Sequence, residues 1–180
     1  MNFNFNFDYI TNYIIEYDTG VPKTIIMGIL VIIFGTMIVL SLISANGKVF
    51  IRNSAWCVLI GYLFLTICAT IIYREVSETY RCSFYPFLNY TELYDEMLAQ
   101  IILNVIMFIP IGFLIGLAIK NRNTFKILGI SSLLSLTIEI IQLITRRGVF
   151  NIDDIIHNTL GGVIGFSFFV LCYKLIKRIA

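Results

Sequence analysis

Hydrophobic positions along this chain gather into five long runs separated by short polar stretches. Crossing ~30 Å of hydrocarbon at 1.5 Å per residue takes about 20 residues. The runs Thr24–Ala45, Ser54–Tyr73, Leu98–Ile119, Phe125–Thr145 and Ile155–Tyr173 are of that length. They predict an all-α fold, a polytopic membrane bundle of about five transmembrane helices. The connections are short except for Arg74–Met97, which leaves no room for a separate soluble domain. Residues 1–23 open with NFNFNF and continue through Tyr9, Ile10, Tyr13, Ile14 and Tyr17, broken by Asn4, Asn6, Asn12 and Glu16. No basic leader with a cleavage site is read there. Helical spacing of the aromatics suits a short segment lying in the outer interface, and the first seven residues are as compatible with disorder.

Composition agrees with the runs. Of 180 residues 58% are hydrophobic and 13% charged, against roughly half and a quarter in a soluble domain. A net charge of +2 is too small to suggest a nucleic-acid partner. Cys57, Cys68, Cys82 and Cys172 have neither metal-ligand nor redox spacing and suggest no disulfide framework. No metal site or cofactor is expected.

Charge sets the orientation. With five spans, one side holds Lys48, Arg52, Lys120, Arg122, Lys126, Lys174, Lys177 and Arg178 with no acid, and the other holds Lys23, Arg74, Arg81, Arg146 and Arg147. The more basic side faces the cytoplasm, so the N-terminus is expected outside and the C-terminus inside. The long connection Arg74–Met97 is then an outer loop rich in acids and aromatics. Pro86 breaks any helix within it. A restart at Thr91 is expected, with Thr91 as N-cap and Glu92, Asp95 and Glu96 in the first turn. Asn89-Tyr90-Thr91 also fits a glycosylation sequon.

The first two spans carry no ionisable side chain and read as packing elements, with Gly28, Gly35, Ser41 and Gly61 as close-approach points. The last three differ. In the third, Glu96, Gln100, Asn104, Phe108, Gly112 and Gly116 recur every four residues and form one stripe, polar outside and glycine deeper. Pro110 within it leaves a carbonyl one turn earlier unpaired and favours a kink. In the fourth, Ser135, Glu139, Gln142 and Arg146 share a face, with Glu139 about 9 Å below the outer end. A charge at mid-span costs about 2.5–3.5 kcal/mol on the insertion scale, so such residues face the bundle or a wet cavity. Arg146 and Arg147 then either fold back to Glu139 or reach up to head groups. In the fifth, Asp154, Asn158, Gly161 or Gly162, and Gly165 repeat the pattern of polar above glycine. Asp153 and Asp154 also suit the helix N-terminus as caps. His157, the only histidine, falls on a different face from Asn158.

Asn104, Glu139, Gln142, Arg146, Asp154 and Asn158 are thereby expected at similar depth beneath the outer loop. Two readings follow: a pocket opening towards the outer leaflet, or an interhelical hydrogen-bond network that only specifies packing. A glutamate with two arginines is more charge than packing requires, which favours the pocket.

These stretches resemble the VanZ family of bacterial membrane proteins. NVIMFIPIGFL is similar to the family's asparagine followed by Phe-x-Pro-x-Gly, and SLTIEIIQ to its Glu-x-x-Gln helix. IDDIIHNTLGGVIG resembles its Asp-x-x-x-Asn-Thr-x-Gly-Gly-x-x-Gly segment, and Arg81 with Pro86-Phe87 its outer arginine and Pro-Phe pair. The resemblance covers residues 81–166. It divides the chain into an extracytoplasmic segment (1–23), two accessory helices with the start of the outer loop (24–80), the VanZ-like core (81–166), and the end of the last helix with a basic tail (167–180). It implies a multi-pass protein of the bacterial plasma membrane and cell envelope, with an association with teicoplanin, a glycopeptide. A lipid-linked cell-wall precursor or a lipoglycopeptide is the partner class it implies besides the bilayer.

Three functions remain in view. The first is binding of a lipid-linked or lipophilic ligand by Arg81, Asn104, Glu139, Gln142, Arg146, Arg147, Asp154 and Asn158, with Pro110, Gly112, Gly116, Gly161, Gly162 and Gly165 packing the helices. The second is a membrane-embedded enzyme acting on an envelope lipid, with Glu139 and Asp154 as acid and base. It lacks Gly-x-Ser-x-Gly, paired histidines and a His/Cys cluster. The third is a small transporter, for which five spans without an evident inverted repeat offer little machinery.

Overall fold

The computed structural model describes residues 7–16, 20–44, 46–84, 94–120 and 123–179. It is an all-α bundle: α1 (Phe7–Glu16), α2 (Lys23–Ile43), α3 (Gly47–Ile67) continued by a π-helical turn (Cys68–Ile72), α4 (Tyr94–Ala118), α5 (Thr124–Thr145) and α6 (Ile152–Ile179). Two dipeptide strands, β1 (Cys82–Ser83) and β2 (Phe150–Asn151), pair in parallel. Five helices, α2 to α6, are long and apolar enough to cross a membrane. Pro86-Phe87, the sequon, and the Thr91 cap with Glu92 lie outside the described residues, and Asp95 falls in the first turn of α4.

The second span starts earlier than the hydropathy suggests. Asn46 caps α3 by accepting from the Lys48 N–H at 2.9 Å, and the expected loop 46–53 is helix. Lys48 and Arg52 fit there because long basic side chains reach out from a helix end to the head groups. Asn123 caps α5 in the same way, accepting from the Phe125 N–H at 3.0 Å. The N-terminal periodicity does form a short helix: α1 packs on α4, with Ile10 buried and Tyr9 donating to Glu96 at 3.3 Å.

The helix pair with the most extensive contact is α4 with α6, and glycine makes it so. The space a Cβ would fill at Gly161 is taken by the Val105 carbonyl, and at Gly165 by the Ile109 carbonyl. Gly112 stands against the Gly162 carbonyl, and a Cβ at Gly116 would come within 2.6 Å of the Phe169 ring. Pro110 sits inside α4 in the same stretch. Below this seam Leu59, Phe108, Ile111, Ile115, Ile127, Ile138, Phe166 and Phe169 form the core. Gly61 of α3 receives Ile33 and Ile29 of α2, as expected of a contact point, whereas Gly28 and Gly35 face open space. Helix α2 has no buried residue and rests on the outside of α3.

A methyl group at Gly161 has nowhere to go, and overpacking of this kind costs about 1–3 kcal/mol. Gly161→Ala should therefore lower the thermal unfolding midpoint in detergent by several degrees. Gly28→Ala, in open space on a helix, should leave it unchanged or raised. Equal midpoints for the two variants would show that the α4–α6 seam does not set the stability.

Candidate functional site

At the end of the bundle where α4 and α6 begin, two chambers adjoin. The first, about 320 Å³, has apolar walls of Val21, Ile26, Leu65, Ala69, Leu103, Ile106 and Met107, and a polar side of Thr66, Thr70, Arg74, Asn104, Glu139, Gln142, Asp154 and Asn158. The second, about 410 Å³, is lined by Tyr13, Arg74, Glu75, Arg81, Gln100, Asn104, Arg147, Asn151 and Asp154 among others. Arg74, Leu103, Asn104 and Asp154 belong to both.

The polar side is built by three helices. From α5, Glu139 is 2% exposed and its Oε2 accepts the backbone N–H of Asn151 at 2.9 Å. Gln142, one turn on, donates from Nε2 to the Thr70 carbonyl at 3.0 Å. From α6, Asn158 is 2% exposed and donates from Nδ2 to Ser135 Oγ at 2.8 Å, while its Oδ1 is buried without a partner. Asp154 is reached by the Asn151 amide at 3.2 Å and by the Asn104 side chain of α4. The positive charge of Arg74 acts on both Glu139 and Asp154.

Arg74 is the residue that reading the sequence missed. It follows the second span, where a cation reads only as a topology signal. Yet Tyr62, Thr66, Thr70 and Arg74 recur every four residues, and all four line the first chamber, so α3 is more than a packing element. The π-helical turn Cys68–Ile72 lies between them, a feature frequent at functional sites. Gly148 leaves room for Arg74, since a Cβ there would stand 3.0 Å from its Nη1 and 3.1 Å from Gln142 Oε1.

The two arginines after α5 part company. The helix ends at Thr145, and Arg146 is its C-cap with left-handed backbone, φ 57°. It leaves the face of Glu139 and Gln142, lies 5.8 Å over the Tyr80 ring, and lines neither chamber. The expected grouping of Arg146 with Glu139 fails because the helix stops one residue too soon. Arg147 turns inward, and its Nη1 donates to the carbonyls of Ile71 at 3.2 Å, Arg74 at 2.9 Å and Ile72. These are the carbonyls a helix end leaves unpaired, so Arg147 caps the second span and also lines the second chamber. Arg81 lines that chamber too, and its carbonyl accepts from the Phe150 N–H at 3.0 Å. Asp153 does not cap α6 alone: its N–H donates to Asn151 Oδ1 at 3.1 Å, which makes Asn151 the cap. His157 is absent from the walls of both chambers. Among the described residues no group of three His, Cys, Asp or Glu could hold a metal ion, and the four cysteines are free.

Comparison with known proteins gives a consistent picture. The family model described as VanZ/LLP1 matches residues 55–175, about two thirds of the chain. Protein VanZ of Enterococcus faecium is 40% identical over 86 residues, a stretch that is 48% of this chain and 48% of that protein. The chain thus matches about half the length of that curated relative. No solved structure matches it. The family match takes in α3 from residue 55 on, with the stripe that ends at Arg74.

Removing Arg147 strips several carbonyls of their donor, and hydrogen bonds to a charged group contribute about 1.5–3 kcal/mol. Arg147→Ala should lower stability in detergent by an amount of that order. Arg146→Ala, at an exposed cap, should stay within about 0.5 kcal/mol of the parent. Comparable losses in the two unfolding curves would contradict these separate roles.

Proposed function

The chain belongs to the VanZ/LLP1 family, and we propose that it is a bacterial plasma-membrane protein that binds an amphipathic, lipid-like ligand at the outer leaflet. The observation that carries this reading is the join between an apolar and a polar chamber at Arg74, Asn104 and Asp154. An amphiphile needs both environments within one molecular length. Its chain would lie against Ile26, Leu65, Ile106 and Met107. Its anionic head would meet Arg74 and Arg81, whose guanidinium groups suit carboxylate or phosphate oxygens. The surplus of Lys and Arg at the opposite end of the bundle supports placing the chambers on the outer side. A lipid-linked envelope precursor or a lipoglycopeptide has this build, and sequestering or shielding either would lower glycopeptide susceptibility.

A second reading has a specific observation behind it. Glu139 and Asp154 line the same chamber, Glu139 feels the charge of Asp154, and both feel that of Arg74. Such a pair can pass a proton to and from a bound substrate. In that case extracts of overexpressing cells would contain an altered envelope lipid that the Glu139→Gln strain lacks.

Native mass spectrometry of the purified protein with its co-purifying lipids tests the binding reading. The parent should carry a bound amphiphile. Arg74→Gln and Glu139→Gln should retain it about tenfold less, since each loses a charge-assisted contact that contributes about 1.5–3 kcal/mol. Arg146→Gln should retain it fully. A ligand held equally by all four proteins would refute the site.

In cells, expression of the parent should raise the teicoplanin concentration needed to stop growth. Glu139→Gln at the same protein level should not. Unchanged protection by this variant would separate any resistance from the chambers.

A further inference from the structure

We propose that the ligand is a single-chain amphiphile that carries a hydroxyl between its chain and its phosphate. This rests on the ligand-binding reading above and names the ligand's class from the order of groups along the two chambers.

The first chamber is apolar until its walls reach Glu139, Asp154 and Asn158. There the oxygens of Glu139, Asp154 and Asn158 are acceptors, with the Arg74 guanidinium at the boundary to the second chamber. Asn158 has used its amide N–H on Ser135, and its buried Oδ1 has no partner. Leaving a buried carbonyl unpaired is costly, which is why nearly all such groups find a donor. The Glu139 and Asp154 side chains add further acceptor oxygens. Acceptors gathered on one patch of wall, one of them unpartnered, call for a donor from the ligand. That donor needs no positive charge, because Arg74 already acts on both carboxylates. A hydroxyl meets these terms.

The anion belongs one step further on, where Arg74 and Arg81 line the second chamber. Counted from the apolar wall outward, the order is chain, donor, anion. The size of the first chamber sets the number of chains. At about 320 Å³ it lies at the low end of small-molecule sites, which run about 300–1,000 Å³, and this favours one hydrocarbon chain over two.

The test titrates the full-length protein in detergent micelles with three probes, read by native mass spectrometry. They are 1-oleoyl lysophosphatidic acid, its analogue with hydrogen in place of the free hydroxyl, and dioleoyl phosphatidic acid. The parent should hold the hydroxyl probe about tenfold more tightly than either of the others, equal to about 1.4 kcal/mol. Asn158→Leu should bind the hydroxyl probe and its deoxy analogue alike, and Asn158→Asp should keep the preference. The comparison of probes on the parent stands even where a variant fails to fold. Equal binding of the hydroxyl and deoxy probes overturns the donor assignment, and equal binding of the two-chain probe overturns the single chain. In both cases retention that depends on Arg74 leaves the binding reading intact. Failure of all three probes to bind overturns that reading together with this one.

Discussion

Backbone contact between α4 and α6 is the constraint on which the rest of the bundle depends. Between helices in lipid there is little hydrophobic drive, and close packing with hydrogen bonding takes its place. Val105 and Ile109 offer carbonyls where Gly161 and Gly165 offer no side chain. The two helices therefore meet at backbone distance, with no flexible side chain between them to absorb a shift. Asn104 precedes Val105 by one residue, and Asn158 and Asp154 lie one and two turns above Gly161. A seam fixed at this level delivers those three polar groups to one place. The positions of Asn104 against Asp154, and of Asn158 against Ser135, are consequences of the glycines.

Polar groups at this depth have two jobs, and the structure divides them. Glu139 holds the Asn151 backbone, Gln142 holds the Thr70 carbonyl and Arg147 holds the end of α3. Each pins a segment that hydropathy alone leaves loose: the turn before α6, the π-helical turn, and the connection that runs back to β1. The short ladder between Cys82–Ser83 and Phe150–Asn151 then ties that connection to the same turn. With these tasks met, Arg74, Arg81, Asp154 and Asn158 remain in the chamber walls, the Asn158 oxygen buried and without a partner. Network and pocket, set out as alternatives on sequence grounds, are present together. The network holds the walls of the pocket.

The stripes on the last three spans were legible because period-four repeats of polar and small residues survive any small error in boundary. Five spans, the polar cluster and the packing glycines follow from such repeats. Arg146 was misplaced by a local event: a left-handed cap one residue past Thr145 sends neighbouring arginines in opposite directions, and hydropathy carries no trace of it. Arg74 was overlooked for another reason. A cation at the end of a span is what topology requires, so its second use is hidden unless the stripe from Tyr62 through Thr66 and Thr70 is followed past the end of the apolar run. Gly148 and Asn151 act through backbone proximity across the chain, which no local pattern encodes.

The chambers do not belong to the family-matched segment alone. Tyr13 of α1 lines the polar chamber, and Val21 and Ile26 line the apolar one, all three before residue 55, where the family match begins. Gly20, with φ 67°, turns the chain between α1 and α2, and a Cβ there would lie 3.5 Å from Tyr73 at the end of α3. This part of the wall is therefore seated on the same helix that supplies Arg74. Its own support is slight, for α2 buries no residue and leans on the notch at Gly61. The polar walls thus come mostly from α3 to α6 and the segments that join them, with Tyr13 from α1, and the apolar boundary partly from α2, which buries no residue. Under the binding reading this split has a consequence for ligand choice. The head group answers mainly to residues the family model covers, while the chain answers in larger part to residues outside it. Members of one family could then share a head-group chemistry and differ in the hydrocarbon they accept.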